Sequence, residues 1–189
     1  LSRREPVQSI LSGPAASVMG VLALCGGSKA MRQGCSLLLD MGGTTTDMAL
    51  FVDGSPVGDR DGMLLKGRRT LVRALASVSI GVGGDSLLTV DAAPGAVRPV
   101  QVGPLREGPA MAFGGSRPTL LDALNVLNFA VDPADVQGIN GGDALAGDVG
   151  ASAAGIAALA AEHGLSPESL AQMAADDALA QVAAAARAL

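Results

Sequence analysis

Three leucines ending in a carboxylate, followed by two glycines, three threonines and a second carboxylate, constrain this chain more than any other feature. The run reads Leu37-Leu38-Leu39-Asp40-Met41-Gly42-Gly43-Thr44-Thr45-Thr46-Asp47-Met48-Ala49-Leu50. Bounded by Gly34 and Gly42-Gly43, the apolar stretch 36–41 predicts a short central strand buried on both faces. Residues 42–46 predict a turn, and 48–52 a returning strand. The dipeptide Asp53-Gly54 then signals a hairpin into a third strand near 56–59.

The residue types in the turn suit a polyphosphate and a metal ion. Glycines let the backbone come close to phosphate oxygens and turn N–H groups toward them. Threonine hydroxyls donate to phosphate or reach a hydrated metal. A carboxylate at the strand end, Asp40, holds Mg²⁺ through water, because Mg²⁺ keeps much of its hydration shell. The alternative is a tight hairpin in which the Asp and Thr side chains satisfy their own backbone. A Walker A loop is excluded, because no Gly-Lys-Ser/Thr ending follows.

Around this hairpin the chain alternates helix and strand signals. Ser12-Gly13-Pro14 opens an apolar segment that runs to Cys25 and stops at Gly26-Gly27. It predicts a buried helix capped by Ser12. Residues 70–80 are ambiguous, although Val78-Ser79-Ile80 alternates like a strand. Residues 81–84 form a glycine loop, and Gly83-Gly84-Asp85-Ser86 is equally a structural turn or a nucleotide contact. Segments 87–90 and 97–102 predict another hairpin, and 103–118 a Gly/Pro loop. Thr119 caps a predicted helix over 120–129, with Asp122 as a helix-start residue. Residues 131–150 predict a loop. The Ala-rich remainder predicts helices over 151–162 and beyond Ser166-Pro167-Glu168. The expected division is 1–135, an α/β subdomain with a mixed sheet of hairpins flanked by helices, and 136–189, a helical segment packing on it.

Composition closes off several function classes. Only 2% of residues are aromatic and the formal net charge is -5. Stacking platforms and a basic footprint for nucleic acid or membrane are therefore not expected. The one dense positive run, Lys66, Arg68, Arg69 and Arg73, reads as a solvated turn. Cys25 and Cys35 are too few for a disulfide framework and read as packed or inert thiols. His163 reads as an exposed helix-end residue, and the methionines as core filler. With no signal-like N-terminus the expected location is cytoplasmic. The chain opens on Leu1 rather than Met, so it is expected to be one part of a longer protein.

The order of helix, strand, Asp-x-Gly-Gly-Thr and strand resembles the second phosphate motif of the actin-like (ribonuclease H-like) ATPase superfamily. More narrowly, four elements together resemble the hydantoinase/oxoprolinase family. These are Ser12-Gly13-Pro14-Ala15-Ala16, Asp40 to Asp47, Ile80-Gly81-Val82-Gly83-Gly84, and Gly114-Gly115-Ser116-Arg117-Pro118-Thr119 with Asp122 and Ala123. The similarity covers roughly residues 11–135 in the family's order.

The resemblance implies ATP-dependent opening of cyclic amides such as hydantoin or 5-oxoproline, with carboxylation of small ketones among related members. ATP would phosphorylate an amide or enol oxygen, and a nucleophile would then attack. The resemblance assigns Asp40 and Asp47 as catalytic, with Asp40 on Mg²⁺. It places Gly42, Gly43, Thr44, Thr45, Thr46, Gly81, Gly83 and Gly84 at ATP. It also implies a second hairpin facing the first across a cleft. This chain has one such run, so the expected partner is the missing N-terminal half of the same protein, with a homodimer as another way to cover an exposed face. The sequence departs from the family pattern where an Asp and a His usually precede the glycine loop, since it reads Ala76-Ser77-Val78-Ser79-Ile80-Gly81. It departs again where a Cys and a Tyr usually stand, since it reads Gly108-Pro109-Ala110-Met111-Ala112-Phe113-Gly114. A histidine metal site within the chain is excluded. A small-molecule kinase and a non-catalytic nucleotide sensor or assembly member remain the other readings.

Overall fold

The computed structural model describes residues 12–25, 33–59, 64–65, 68–69, 74–91, 99–127 and 147–189. They fall into two units, one of residues 1–40, 46–79 and 185–189, the other of residues 41–45 and 80–184. The expected boundary near 135 lies outside the described residues, and the two helices beyond it share a core with residues from 80 onward.

In the first unit, helix α1 (Ser12–Cys25) is followed by strands β1 (Cys35–Met41) and β2 (Thr46–Val52). Asp53 and Gly54 adopt φ of 49° and 77°, the left-handed pair that a tight two-residue hairpin requires. This turn sets the register Val52↔Ser55 and Phe51↔Pro56 with β3 (Ser55–Pro56). The Asp53 carboxylate also accepts the Gly34 N–H at 2.9 Å, and the Asp53 N–H donates to the Gly34 carbonyl. The turn is thereby tied to the residue before β1. The expected third strand is split into β3 and β4 (Gly58–Asp59). Next come β5 (Leu64–Leu65), β6 (Arg68–Arg69), β7 (Ala74–Leu75) and β8 (Ser77–Ile80). Strands β4 and β7 pair antiparallel, as do β5 and β6. The strand order is β1-β2-β3, with β8 also on β2. Lys66 and Arg73 lie outside the described residues.

Two burial expectations fail here. β1 stands at the end of the strand order, and Leu37, Leu39 and Met41 are exposed on one of its faces. The better-buried strand is β2, which carries Met48, Ala49 and Phe51 in the core, although its last residue, Val52, is exposed. A run of apolar residues states that a strand is hydrophobic, not how many faces are covered. Helix α1 is likewise largely apolar, but among its described side chains only Val18 is buried. Val18 packs with Ala49 and Phe51, supported by Leu22, Leu38 and Leu75, while Leu24 is 87% exposed. Cys35 is exposed rather than packed.

The second unit is built on a two-stranded antiparallel ribbon, β9 (Ser86–Val90) and β10 (Val100–Arg106). β10 runs on through the cis Gly103-Pro104 bond into what the sequence reads as loop, and its register with β9 shifts between Val102 and Arg106. A 3₁₀ turn (Met111–Phe113) and helices α2 (Leu120–Val126), α3 (Val149–Glu162) and α4 (Pro167–Arg187) complete it. The Ser166 hydroxyl accepts the Ser169 N–H at 3.1 Å, as expected of the cap before Pro167. His163 is the exposed residue that ends α3. The core joins Val82, Leu88, Val100 and Val102 to Leu120, Ile156, Leu170, Ala174 and Ala178. On α4, Leu170, Ala174 and Ala178 recur every four residues, one stripe of a helix. Small alanines on that stripe let the helix lie close to the ribbon.

Two polar residues continue the same face of α4. The Val102 N–H donates to the Asp177 carboxylate at 2.9 Å, and the Gln181 amide donates to the Val102 carbonyl at 3.0 Å and to Asp177 at 2.8 Å. Val102 faces Leu88, so these backbone groups point away from β9. The helix satisfies them where a third strand would. Among the described residues no helix is long and apolar enough to cross a membrane.

Candidate functional site

The tip of the β1–β2 hairpin, Met41 to Thr45, belongs to the second unit. It closes with the Gly42 N–H donating to the Thr45 carbonyl at 2.9 Å. The glycine loop 81–85 supports it from below. The Gly84 N–H donates to the Gly42 carbonyl at 2.9 Å, and the Asp85 N–H to the Gly43 carbonyl at 2.7 Å. The carbonyls of Gly42 and Gly43 are thus tied down. Among the described residues, the N–H groups of Gly43, Thr44 and Thr45 and the hydroxyls of Thr44 and Thr45 have no protein acceptor. Exposed donors fixed on a held backbone are what an anion requires.

The fold brings Gly42-Gly43 and Gly83-Gly84 to one place, and the packing explains Gly81 and Gly83 differently from the expected nucleotide contact. A Cβ on Gly83 would lie 2.7 Å from the carbonyls of Gly42 and Gly43. Gly83 is buried, and its bare backbone lets the loop pack under the tip. Gly81 faces Pro104, whose Cβ would be 2.8 Å away from a side chain there. These two glycines back the tip and do not line an open surface. Ser86, itself buried, accepts the Gly83 N–H at 2.9 Å and cinches the loop. Thr46 also departs from its expected place. It is fully buried at the start of β2 and has a partner within the protein, so its side chain does not present a free donor as those of Thr44 and Thr45 do.

Gly43 is confined by Asp85, which the sequence reading includes only as part of the Gly83–Ser86 turn or nucleotide contact. A Cβ on Gly43 would be 2.5 Å from the Asp85 carboxylate. That carboxylate accepts Arg106 Nη2 at 2.7 Å and Nε at 3.2 Å on one oxygen, and the Ala110 N–H at 3.2 Å on the other. The side chain of Asp85 is 16% exposed and that of Arg106 45%. Arg106 reaches this position because the register shift in β10 sets it opposite Ser86; such shifts re-aim side chains. Nothing in the local sequence announces the pair, which is separated by 21 residues.

Asp40 and Asp47 belong to the first unit. Asp40, at the end of β1, is exposed and accepts the Ser17 hydroxyl of α1 at 2.5 Å. Asp47 is half-buried, and the two carboxylates line one crevice with Ser17, Val18, Leu38, Met48 and Ala49. The sequence reading does not single out Ser17, which sits five residues after the start of α1, the helix that opens the family-like segment.

Asp122 is a hub rather than a base. It is fully buried and accepts Thr119 N–H and Oγ1, making the capping box expected of it. It also accepts Met111 N–H, Ala112 N–H and the Ser152 hydroxyl. With five donors converging on it, no lone pair is directed toward solvent.

The sequence model of the hydantoinase/oxoprolinase family matches residues 1–189. The chain belongs to this family. Among solved structures it is similar to nucleotide-free acetone carboxylase, described for the mechanism of ATP-dependent acetone carboxylation. The identity is 26%, with a TM-score of 0.61, over 86% of this chain and 22% of that one. This family member therefore spans under a quarter of the length of the enzyme it matches. The fold is of the actin-like ATPase type, with antiparallel hairpins and flanking helices, as the motif order implies. No curated protein matches the chain.

Proposed function

We propose that this chain supplies one phosphate-binding hairpin of an ATP-dependent enzyme that phosphorylates a carbonyl oxygen, with a cyclic amide as substrate. The observation that carries the reading is the tip itself, in which the Gly43, Thr44 and Thr45 N–H groups and two hydroxyls are held open while the carbonyls of Gly42 and Gly43 are tied to the glycine loop. In this reading the tip donors hold the triphosphate. The amide oxygen attacks the γ-phosphorus and ADP leaves; one water adds to the activated carbon, the C–N bond breaks with a proton passing to the ring nitrogen, and a second water hydrolyses the resulting acyl phosphate to carboxylate and free phosphate. Preorganised donors of this kind stabilise charge on the transferred group without reorganising.

Among the described residues no three His, Cys, Asp or Glu side chains gather around one point. Asp40, exposed and bonded to one hydroxyl, would hold Mg²⁺ from its open side through water, since the crevice it lines with Asp47 is too narrow for a water molecule. When bound, Mg²⁺ would neutralise phosphate charge. A second hairpin would come from elsewhere in the full protein. The share of acetone carboxylase that the chain covers, 22%, is consistent with that. The same similarity favours a second substrate reading, phosphorylation of the enol oxygen of a small ketone before carboxylation.

The test is product analysis with γ-labelled ATP and the intact protein. Free phosphate with an opened hydantoin or 5-oxoproline ring supports the first reading. Phosphate release that requires both a ketone and bicarbonate supports the second. A stable phosphorylated product would instead make the protein a small-molecule kinase. No ATP consumption with any of these substrates, in a protein shown to be folded, would leave the nucleotide-sensing or assembly reading standing.

A further inference from the structure

The hairpin tip is fixed from two directions. From below, the glycine loop ties its carbonyls. From the side, the Asp85 carboxylate stands against Gly43, close enough that a single added methyl would collide with it. The carboxylate cannot swing away freely, because Arg106 grips one oxygen with two N–H groups and the Ala110 N–H holds the other. A bare carboxylate beside a phosphate cradle would repel the ligand. Here Arg106 offsets its charge and leaves it as a rigid, neutralised stop.

We propose that Asp85, held by Arg106, is a positioning residue that fixes Gly43 and so sets the height of the tip amides offered to a triphosphate; the proposal rests on the nucleotide reading above. The glycine at 43 is then needed for two reasons. Its backbone must approach phosphate, and its missing side chain must leave room for the carboxylate. The two reasons separate by experiment. If Asp85 is what confines Gly43, shortening Asp85 relieves the collision. If phosphate approach is the sole constraint, it does not.

The experiment is a double-mutant cycle of Gly43→Ala and Asp85→Ala in the intact protein, read as the ATP dissociation constant by equilibrium titration. Thermal melting serves as the control for folding. Gly43→Ala alone is expected to weaken ATP binding about tenfold or more, and less than about threefold in the Asp85→Ala background, a coupling in the usual range for residues in contact. A second variant avoids the tip altogether. Arg106→Gln removes a partly exposed ion pair of small structural worth and leaves a loosened, unneutralised carboxylate beside Gly43. It is expected to weaken ATP binding several-fold, with the loss shrinking as ionic strength rises because screening weakens the repulsion. Equal costs of Gly43→Ala in both backgrounds, or an unchanged ATP affinity in Arg106→Gln, would overturn the assignment of Asp85. Failure of the wild-type protein to bind ATP would overturn the nucleotide reading itself, and this proposal with it.

Discussion

Removing the acceptor capacity of Asp122 should loosen the whole segment from 110 to 123. The carboxylate is fully buried and receives five hydrogen bonds. Three go to one oxygen, from Met111 N–H, Thr119 N–H and Thr119 Oγ1. Two go to the other, from Ala112 N–H and Ser152 Oγ, at 3.0 and 2.7 Å. Asp122→Asn keeps the shape but replaces one oxygen with an NH₂ group. In its better orientation the amide faces Ala112 and Ser152. The serine hydroxyl can turn to accept, but the Ala112 N–H cannot, so one buried donor is orphaned at a cost of about 1–3 kcal/mol. Asp122→Ala orphans the N–H groups of Met111, Ala112 and Thr119 together. At the low end of the same penalty this costs about 3 kcal/mol, a large part of a typical domain's stability. Amide hydrogen exchange of the intact protein, followed on peptides covering 110–123, reads the effect locally. About tenfold faster exchange is expected for Asp122→Asn, since each ~1.4 kcal/mol is a factor of ten, and more than a hundredfold for Asp122→Ala. Unchanged protection in Asp122→Ala would refute the hub, and with it the view that this carboxylate is structural and not a catalytic base.

Three further outcomes follow from the geometry. Gly83→Ala places a Cβ 2.7 Å from backbone atoms of Gly42 and Gly43, so it should lower stability by about 1–3 kcal/mol and weaken ATP binding together, measured by melting and titration on the same sample. Asp40→Ala should reduce ATP turnover by about 100-fold or more while leaving the melting temperature nearly unchanged, because the side-chain bond it receives from Ser17 is exposed; retained turnover would remove Asp40 from the reaction. Gln181→Ala leaves the Val102 carbonyl without its helix donor and should cost about 1 kcal/mol in denaturant unfolding of the intact protein, with no effect on ATP affinity.

Much of this architecture is written locally, and that part is legible. Asp53-Gly54, Thr119 with Asp122, and Ser166-Pro167 each specify their turn or cap with residues a few positions apart, and each appears where the sequence puts it. The turn at Gly42 to Thr45 is legible for the same reason. Remote partners are not. Asp122 meets Ser152 thirty residues away, Asp85 meets Arg106 after a register shift, and Asp177 meets Val102 seventy-five residues away. No periodicity or spacing encodes those meetings. Burial is the other blind spot. The leucines of β1 and the apolar residues of α1 look like core by composition, but Leu37, Leu39 and Leu24 face outward, because hydrophobicity says what could be covered and not what covers it. The glycines mislead more subtly. Gly81 and Gly83 are required, as a glycine loop suggests, but by Pro104 and the hairpin carbonyls.

The α4 side chains that occupy Val102 have a consequence for how this protein can associate. With its outward-facing N–H and carbonyl already engaged by Asp177 and Gln181, that position of the ribbon offers no template to an incoming extended peptide. Strand addition at that position of the ribbon would have to peel away a 21-residue helix first.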